Sequence, residues 1–263
     1  MSELVRVNVA GETATITLNN PDVRNALSVE MAEALIAAVE TAENSDARCL
    51  VVQGSGGYFC AGGDIKAMVE GVSTDMDIEK RVEEFGLPIN HAVQAVYDCP
   101  LPTIAKVDGP AFGAGGALAI ACDLVLASER SKISFGFRQV GLSVDSGTSY
   151  LLPRQVGKNV AKELVYTGEL IDSDRGAELN LFNRVFPDKV FEQRTQELVE
   201  HVATGPTVAL QESKQLIESG PDRTFEETIE TETDSLRKTL ATADHAEGAR
   251  SFVEQRDPEF DGE

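Results

Sequence analysis

Residues 54–68 read GSGGYFCAGGDIKAM, and they continue the apolar run CLVVQG at 49–54. The run has the character of a buried strand, and Asp64 is a helix-starting residue ahead of IKAM. Between strand and helix stand five glycines and one cysteine. Glycine weakens regular structure, so a cluster at such a junction marks a turn whose backbone must approach something closely. A second junction of this kind is GPAFGAGGALAIACD at 109–123, between the strand pattern PTIAKVDG and a helix of small residues. Neither junction fits GxGxxG followed by a distant acid, and neither is a GxxxxGK[ST] phosphate loop. The remaining use is donation from backbone N–H groups at a helix N-terminus, where small side chains let a ligand oxygen in and the dipole favours negative charge. Two such groups aimed at one point make an oxyanion hole. The same small residues also serve close packing of helix on strand, and the pattern leaves both uses open.

Working outward, LVRVNVA and TATITLNN alternate apolar and polar residues about Gly11, which predicts an antiparallel hairpin. SVEMAEALIAAVETAEN carries Met31, Leu35, Ala38 and Val39 at helical spacing behind an N-capping Ser28. The stretch from Asp75 to Cys99 is helical in pattern, with an interruption near Gly86 and Pro88. DLVLAS returns to strand. Strands alternating with helices predict an α/β core with parallel crossovers. After about residue 145 the pattern turns mainly helical, through YLLPRQVGK, NVAKELVYTGE, FEQRTQELVEHVATG, PTVALQESKQLIESG and RTFEETIETETDSLRKTLA. The expected division is a core at 1–195 and a helical region at 196–263. A helical appendage of this size has little core of its own and is expected to pack on another subunit.

Composition narrows the function classes. With 263 residues and 42% hydrophobic content the chain can bury a sizeable core. A net charge of −21 repels phosphate backbones and anionic lipids, so neither nucleic acid nor membrane is an expected partner. No apolar run approaches the roughly 20 residues of a membrane span, and the N-terminus lacks a signal-peptide pattern. The scattered cysteines Cys49, Cys60, Cys99 and Cys122 form no CxxC pair, which fits reduced thiols and a cytoplasmic location. Acid spread over many segments, with arginine outnumbering lysine, suits either a high-salt surface or an ordinary acidic one. There is no HExxH or Cys/His cluster, so no metal is expected.

Six segments in order resemble the crotonase, or enoyl-CoA hydratase/isomerase, superfamily. They are LNNPDVRNALS, YFCAGGDIKAM, DGPAFGAGGALAIACDLVLAS, VGLSVDSGTSYLLPRQVG, AKELVYTGELIDSDRGAELNLFNRVF and ADHAEGARSFVEQRDPEF. The resemblance implies a spiral of ββα turns with a helical C-terminal trimerisation region, assembling as trimers or dimers of trimers. It also implies an acyl thioester of coenzyme A as substrate, with coenzyme A part of that substrate and no permanently bound cofactor. By position the thioester oxygen would lie between the N–H groups of Gly63 and Ala114. The carbonyl of Ala61 would meet the adenine, and Arg24 and Lys66 would lie near the phosphates. Phe252 matches a tail position that contacts a neighbouring subunit's coenzyme, whereas Gln255 stands where many relatives carry lysine.

The same resemblance raises the question of the proton. Hydratases of this kind use two glutamates, and their places are taken here by Ala117 and Phe137. Asp145, in LSVDSGTS, matches an acidic position of family isomerases, including enoyl-CoA, dienoyl-CoA and epoxide-opening ring isomerases. One carboxylate suffices to take a proton from one carbon and return it to another. The implied activity is therefore double-bond isomerisation with Asp145 as acid and base. The alternatives are an enoyl-CoA hydratase of fatty-acid β-oxidation and a non-catalytic acyl-CoA binder. Asp145 could equally cap the helix that begins SGTSYLL. Ser146, Thr148 and Ser149 could hold Asp145 or a water in place. Cys60 has no evident base partner and reads as a small core residue.

Overall fold

The N-terminal alternation becomes the first hairpin, β1 (Val5–Ala10) and β2 (Thr13–Leu18), antiparallel with Val5 opposite Leu18 and Ala10 opposite Thr13. This is a computed structural model, and it describes residues 4–263. Gly11 makes the turn at φ +57°, and Ala14, Ile16 and Leu18 point into the core. Helix α1 (Val29–Glu43) starts where the Ser28 hydroxyl accepts the Met31 N–H at 3.2 Å, and buries Met31, Leu35, Ala38 and Val39.

Strand β3 (Cys49–Gly54) explains its own unbroken apolar run. Leu50 and Val52 face the main core, while Cys49 and Val51 join Ile104 and Leu126 in a second cluster on the opposite face. A strand covered on both faces has no polar side to show. It pairs in parallel with β2 and with β4 (Thr103–Val107). Strands β6 (Leu124–Ser128) and β9 (Arg184–Phe186) extend the sheet, giving the order β1-β2-β3-β4-β6-β9. A smaller sheet joins β5 (Pro110–Phe112), β7 (Lys132–Ser134) and β8 (Ile171–Asp172).

The interruption expected near Gly86 and Pro88 takes another form. After α2 (Ile65–Ser73), the chain runs from α3 (Ile78–Arg81) through a π turn (Val82–Gly86) into α4 (Leu87–Asp98). Pro88 lies in the first turn of α4, where its missing N–H would have no partner anyway. The irregularity is a π turn instead of a break. Helix α5 (Ala114–Ile120) follows β5 and is buried on every side, so its small residues pack against strands all round. Helices α6 (Thr148–Val156), α7 (Lys158–Thr167) and α8 (Ser173–Glu178) complete the turns of the core.

The C-terminal half is helical as expected, apart from β8 and β9. Helix α9 (Phe191–Ala203) lays Val199 and Ala203 on the second face of the sheet, and position 195 lies within it. Helices α10 (Thr207–Ser219), α11 (Phe225–Leu240) and α12 (Ala243–Glu254) follow. They are tied to the core by charge. Lys214 on α10 pairs with Asp123 at 3.0 Å and donates to the carbonyls of Cys99 (2.8 Å) and Leu101 (3.1 Å). Arg48 donates to Thr207 Oγ1, to the carbonyl of Phe260 and to that of Gly205. Buried Asp244 accepts the Asp261 and Gly262 N–H groups, which folds the tail back. Among the described residues, no helix is long and apolar enough to cross a membrane.

Candidate active site

Both glycine-rich junctions lie at the C-terminal ends of parallel strands, and the structure brings them into contact. Cys60 bridges to β5: its N–H donates to the carbonyl of Pro110 (3.2 Å), and its carbonyl accepts from Phe112 (2.9 Å). The next residues turn to the early loop. Ala61 donates to Arg24 (3.0 Å), Leu27 donates to Gly62 (2.7 Å), and Asp64 donates to Leu27 (3.3 Å). With the Gly62 carbonyl facing Leu27, the N–H of Gly63 faces the other way, because the C=O and N–H of one trans peptide point in opposite directions. On the other junction Gly113 donates to Ser134, and the first N–H bonded within the helix is that of Ala117, to Gly113. Ala114, as the first residue of α5, keeps its N–H outside the helix ladder. Among the described residues neither the Gly63 nor the Ala114 N–H has a hydrogen-bond partner.

Glycine is required at the seam. A Cβ on Gly62 (φ +86°) would lie 2.5 Å from the Phe112 carbonyl oxygen and 3.4 Å from the Ala114 nitrogen. A Cβ on Gly115 would lie 2.2 Å from the Cys60 carbonyl oxygen. The two backbones touch here because neither residue has a side chain. Of the two uses left open in the sequence, close packing is realised at Gly62 and Gly115, and the Gly63 and Ala114 N–H groups beside it are unpartnered. On Gly63 a Cβ would instead meet the Met68 Cε methyl at 2.8 Å and the Ile89 Cδ1 methyl at 3.7 Å, so an apolar wall from α2 and α4 stands beside this donor.

Asn25 holds the early loop against the first junction, and the sequence reading did not single it out. It is fully buried in the left-handed conformation (φ +57°). Its Nδ2 donates to the carbonyls of Ser55 (3.0 Å), Tyr58 (2.9 Å) and Phe59 (3.3 Å), while its Oδ1 accepts the Asn20 N–H. The available signal was an asparagine, tolerant of positive φ, inside the loop PDVRNALS. Its neighbour Arg24, also left-handed, is exposed and stands over the Tyr58 ring at 5.6 Å. Lys66 is exposed on the first turn of α2, whose N-cap is Asp64. Among the described residues neither Arg24 nor Lys66 is held in an ion pair.

Asp145 lies in the turn before α6, and it does not cap that helix. The N-cap is Gly147, without a side-chain bond. The Asp145 carbonyl accepts the Thr148 N–H (2.9 Å), and its carboxylate Oδ1 accepts the Ser146 hydroxyl at 2.9 Å. The Ser146 N–H donates in turn to Asn90 Oδ1 on α4 (2.9 Å), one residue after Ile89, whose Cδ1 lies 3.7 Å from where a Gly63 Cβ would stand. Through Ile89 and Asn90, α4 thus links the carboxylate turn to the Gly63 donor. Asp145 keeps solvent contact in the single chain, yet surrounding atoms shield the carboxylate enough for desolvation to raise its pKa, against a smaller lowering by the Ser146 hydroxyl. Of the neighbours, Ser146 holds Asp145 as one of the sequence alternatives had it. The buried Thr148 hydroxyl has no partner among the described residues, and Ser149 is exposed.

Ala117 is buried in α5, and Phe137 is buried in a 3-10 turn (Phe137–Val140). The lack of a second carboxylate does not depend on how Phe137 is aligned, since no Asp or Glu occurs between Glu129 and Asp145, or between Asp108 and Asp123. Burial pushes the Cys60 thiol up to about 12, which leaves it a packed core group. Phe252 is 86% exposed on α12, which packs mainly on α11, so the single chain does not bring it to the junctions. Arg256, beside Gln255, is engaged by Glu247 and Glu254. Among the described residues no cluster of His, Cys, Asp and Glu is suited to hold a metal ion. A cavity of about 730 Å³ opens elsewhere, between the start of β4, α9, α10 and the tail, and the Lys214–Asp123 pair at its wall is already satisfied.

The chain is similar from end to end to proteins of one family. The enoyl-CoA hydratase/isomerase family model matches residues 9–263. A probable enoyl-CoA hydratase of Rhodobacter capsulatus is 34% identical over 98% of both chains. The 1,2-epoxyphenylacetyl-CoA isomerase of Escherichia coli is 33% identical over 100% of both chains. Among solved structures, an enoyl-CoA hydratase from Bacillus anthracis superposes with a TM-score of 0.91 at 28% identity, covering 99% of this chain and 100% of that one.

Proposed function

The chain belongs to the enoyl-CoA hydratase/isomerase family, and from that premise we propose that it shifts a double bond in an enoyl-CoA, with Asp145 as the single acid and base. The observation that carries the reading is the pairing of two unpartnered N–H groups, on touching backbones, with one carboxylate of raised pKa and no second carboxylate on α5 or the 3-10 turn. The thioester oxygen accepts from Gly63 and Ala114. Asp145 removes a proton from the carbon next to the thioester, and the negative charge that spreads onto that oxygen is held by the two donors. Asp145 then returns the proton to the far carbon of the allylic system, so atoms and charge balance without a water. A base of raised pKa is closer to the working pH, which favours both half-steps.

The coenzyme is bound, in this reading, along Arg24, Ala61 and Lys66. Two unpaired cations kept in a chain of net charge −21 suit a polyphosphate ligand. The acyl group lies on the apolar wall formed by Met68 and Ile89, extended by the exposed Ile65 and Val69 of α2. The exposed Phe225, Leu236, Phe252 and Val253 on α11 and α12 fit a self-associating surface, so a homotrimer or hexamer is part of the proposal. A second reading, isomerisation of a ring-bearing acyl-CoA epoxide, is favoured by end-to-end similarity to 1,2-epoxyphenylacetyl-CoA isomerase.

The test is to incubate the purified protein and its Asp145→Asn variant with crotonyl-CoA and with a 3-enoyl-CoA. The proposal expects conversion of the 3-enoyl-CoA that is lost in the variant. Rapid hydration of crotonyl-CoA, unaffected by the substitution, would overturn the mechanism. Binding of both thioesters without turnover by either protein would identify an acyl-CoA binder.

A further inference from the structure

We infer that Asn90 is a positioning residue for Asp145, acting through Ser146, and that it fixes Oδ2 of Asp145 as the oxygen that carries the transferred proton. The inference rests on the role given to Asp145 above.

The turn Asp145–Thr148 is closed by the Thr148 N–H on the Asp145 carbonyl, with Ser146 at φ +51° and Gly147 at φ +72°. Positive φ at both central residues is the pattern of a type I′ turn, whose preferred residues are Gly, Asn and Asp. Serine is strained at the first of these positions, and a strained residue persists only where its surroundings hold it. The holding contact comes from α4. Asn90 Oδ1 accepts the Ser146 N–H at 2.9 Å. Because the group facing Asn90 is a donor, its amide oxygen must be the atom turned toward Ser146.

The Ser146 hydroxyl has one proton and two acceptors within reach: Asp145 Oδ1 at 2.9 Å and Asn90 Oδ1 at 3.4 Å. The shorter, charge-assisted bond takes it. Since Asn90 Oδ1 is already satisfied by the Ser146 N–H, it does not compete strongly for the hydroxyl. Ser146 therefore occupies Oδ1, and Oδ2 is left to receive a proton from one carbon and return it to the other. When Oδ2 is protonated, Oδ1 is the carbonyl oxygen of the acid and still accepts the same hydroxyl, so no rearrangement separates the half-steps. The serine that this requires would be replaced by glycine if backbone strain alone governed the position.

The charged and titratable groups on the surrounding elements include His91, Tyr97 and Asp98 of α4, Arg138 of the 3-10 turn, and Tyr150 and Arg154 of α6. None of them contributes to the Asp145 shift, which comes from burial and the Ser146 hydroxyl. A charge introduced at position 90 would therefore be the first to act on Asp145, and its effect would be readable.

The experiment measures kcat and KM for the 3-enoyl-CoA against pH in the wild type, Asn90→Asp, Asn90→Leu and Ser146→Ala. Asn90→Asp keeps the acceptor for the Ser146 N–H and adds a negative charge, so the acidic limb of the kcat profile should move to higher pH. Ser146→Ala removes the bond that lowers the Asp145 pKa and should move the same limb the same way. Asn90→Leu releases the turn, and a misplaced base typically loses about 10- to 100-fold in kcat, with KM nearly unchanged. If Asn90→Leu does not fold, the near-isosteric Asn90→Asp profile decides alone. An unmoved limb in Asn90→Asp and Ser146→Ala, with Asp145→Asn inactive, would overturn the role of Asn90 and leave that of Asp145 standing. Full activity in Asp145→Asn would overturn both.

Discussion

Replacing Gly63 by proline removes one proposed oxyanion donor and puts the ring Cδ in the direction of the lost N–H. The Gly63 N–H makes no hydrogen bond within the described chain, so its loss orphans no acceptor. The side chain enters beside the Met68 Cε methyl at 2.8 Å, the far end of a flexible side chain, and the next contact is Ile89 at 3.7 Å. Gly62, the preceding residue, has no Cβ, which removes part of the clash that proline imposes on its neighbour. The matched control is Gly63→Ala, which introduces the same Cβ and keeps the N–H. Loss of one oxyanion donor costs about 2.7–4 kcal/mol of transition-state stabilisation, or about 100- to 1,000-fold in kcat. Both variants should share a small stability loss of about 1 kcal/mol, a shift of about 2–4 °C in Tm for a chain of this size. The assay is kcat for the 3-enoyl-CoA, with thermal unfolding in parallel. The expected pattern is a large fall for proline and a fall within about threefold for alanine, that margin being about 0.65 kcal/mol. Equal falls in the two variants would trace the loss to the Cβ and refute the donor role of Gly63.

Three further outcomes follow from other parts of the structure. Asn25→Ala leaves the carbonyls of Ser55, Tyr58 and Phe59 short of a donor and puts alanine at φ +57°, and should cost about 2–3 kcal/mol in denaturant unfolding. Lys214→Met leaves the partly exposed Asp123 without its cation and two carbonyls without a donor; it should cost about 1–2 kcal/mol by the same measurement. Burial raises the folded-state pKa of Asp145 above its usual 3.8, so its charged form disfavours the fold at neutral pH. Asp145→Asn should therefore raise Tm at neutral pH, by a small amount given the solvent contact. The gain should shrink as pH falls through the raised pKa toward 3.8.

The main sheet was legible because its strands obey simple rules. Alternation gave β1 and β2, and the unbroken run CLVVQG gave β3, buried on both faces. Three-residue strands such as β5, β7 and β9 are too short to show a period, and β9 is held by its place beside β6. The glycine junctions were legible as close approaches, although chain pattern alone did not tell that Gly62 and Gly115 form the seam and Gly63 the open donor. Asp145 was singled out by resemblance, but its turn was not legible. A left-handed serine held by an asparagine 56 residues away depends on tertiary contact, which no local window contains. Asn25 was overlooked for the same reason, since its three acceptors lie 30 to 34 residues further on.

The proposed enolate formation by Asp145 beneath two backbone donors is open to direct measurement by exchange into heavy water. Asp145 keeps solvent contact, so the proton it takes up exchanges with solvent before its return. Incubation of the protein with a 3-enoyl-CoA in D2O, followed by mass spectrometry of the acyl group, counts deuterium at the two ends of the allylic system. The account predicts incorporation by the wild type and a rate at least about 100-fold lower in Asp145→Asn, the smaller end of what a general base contributes. Undiminished exchange in Asp145→Asn would contradict it, by showing that another group moves the proton.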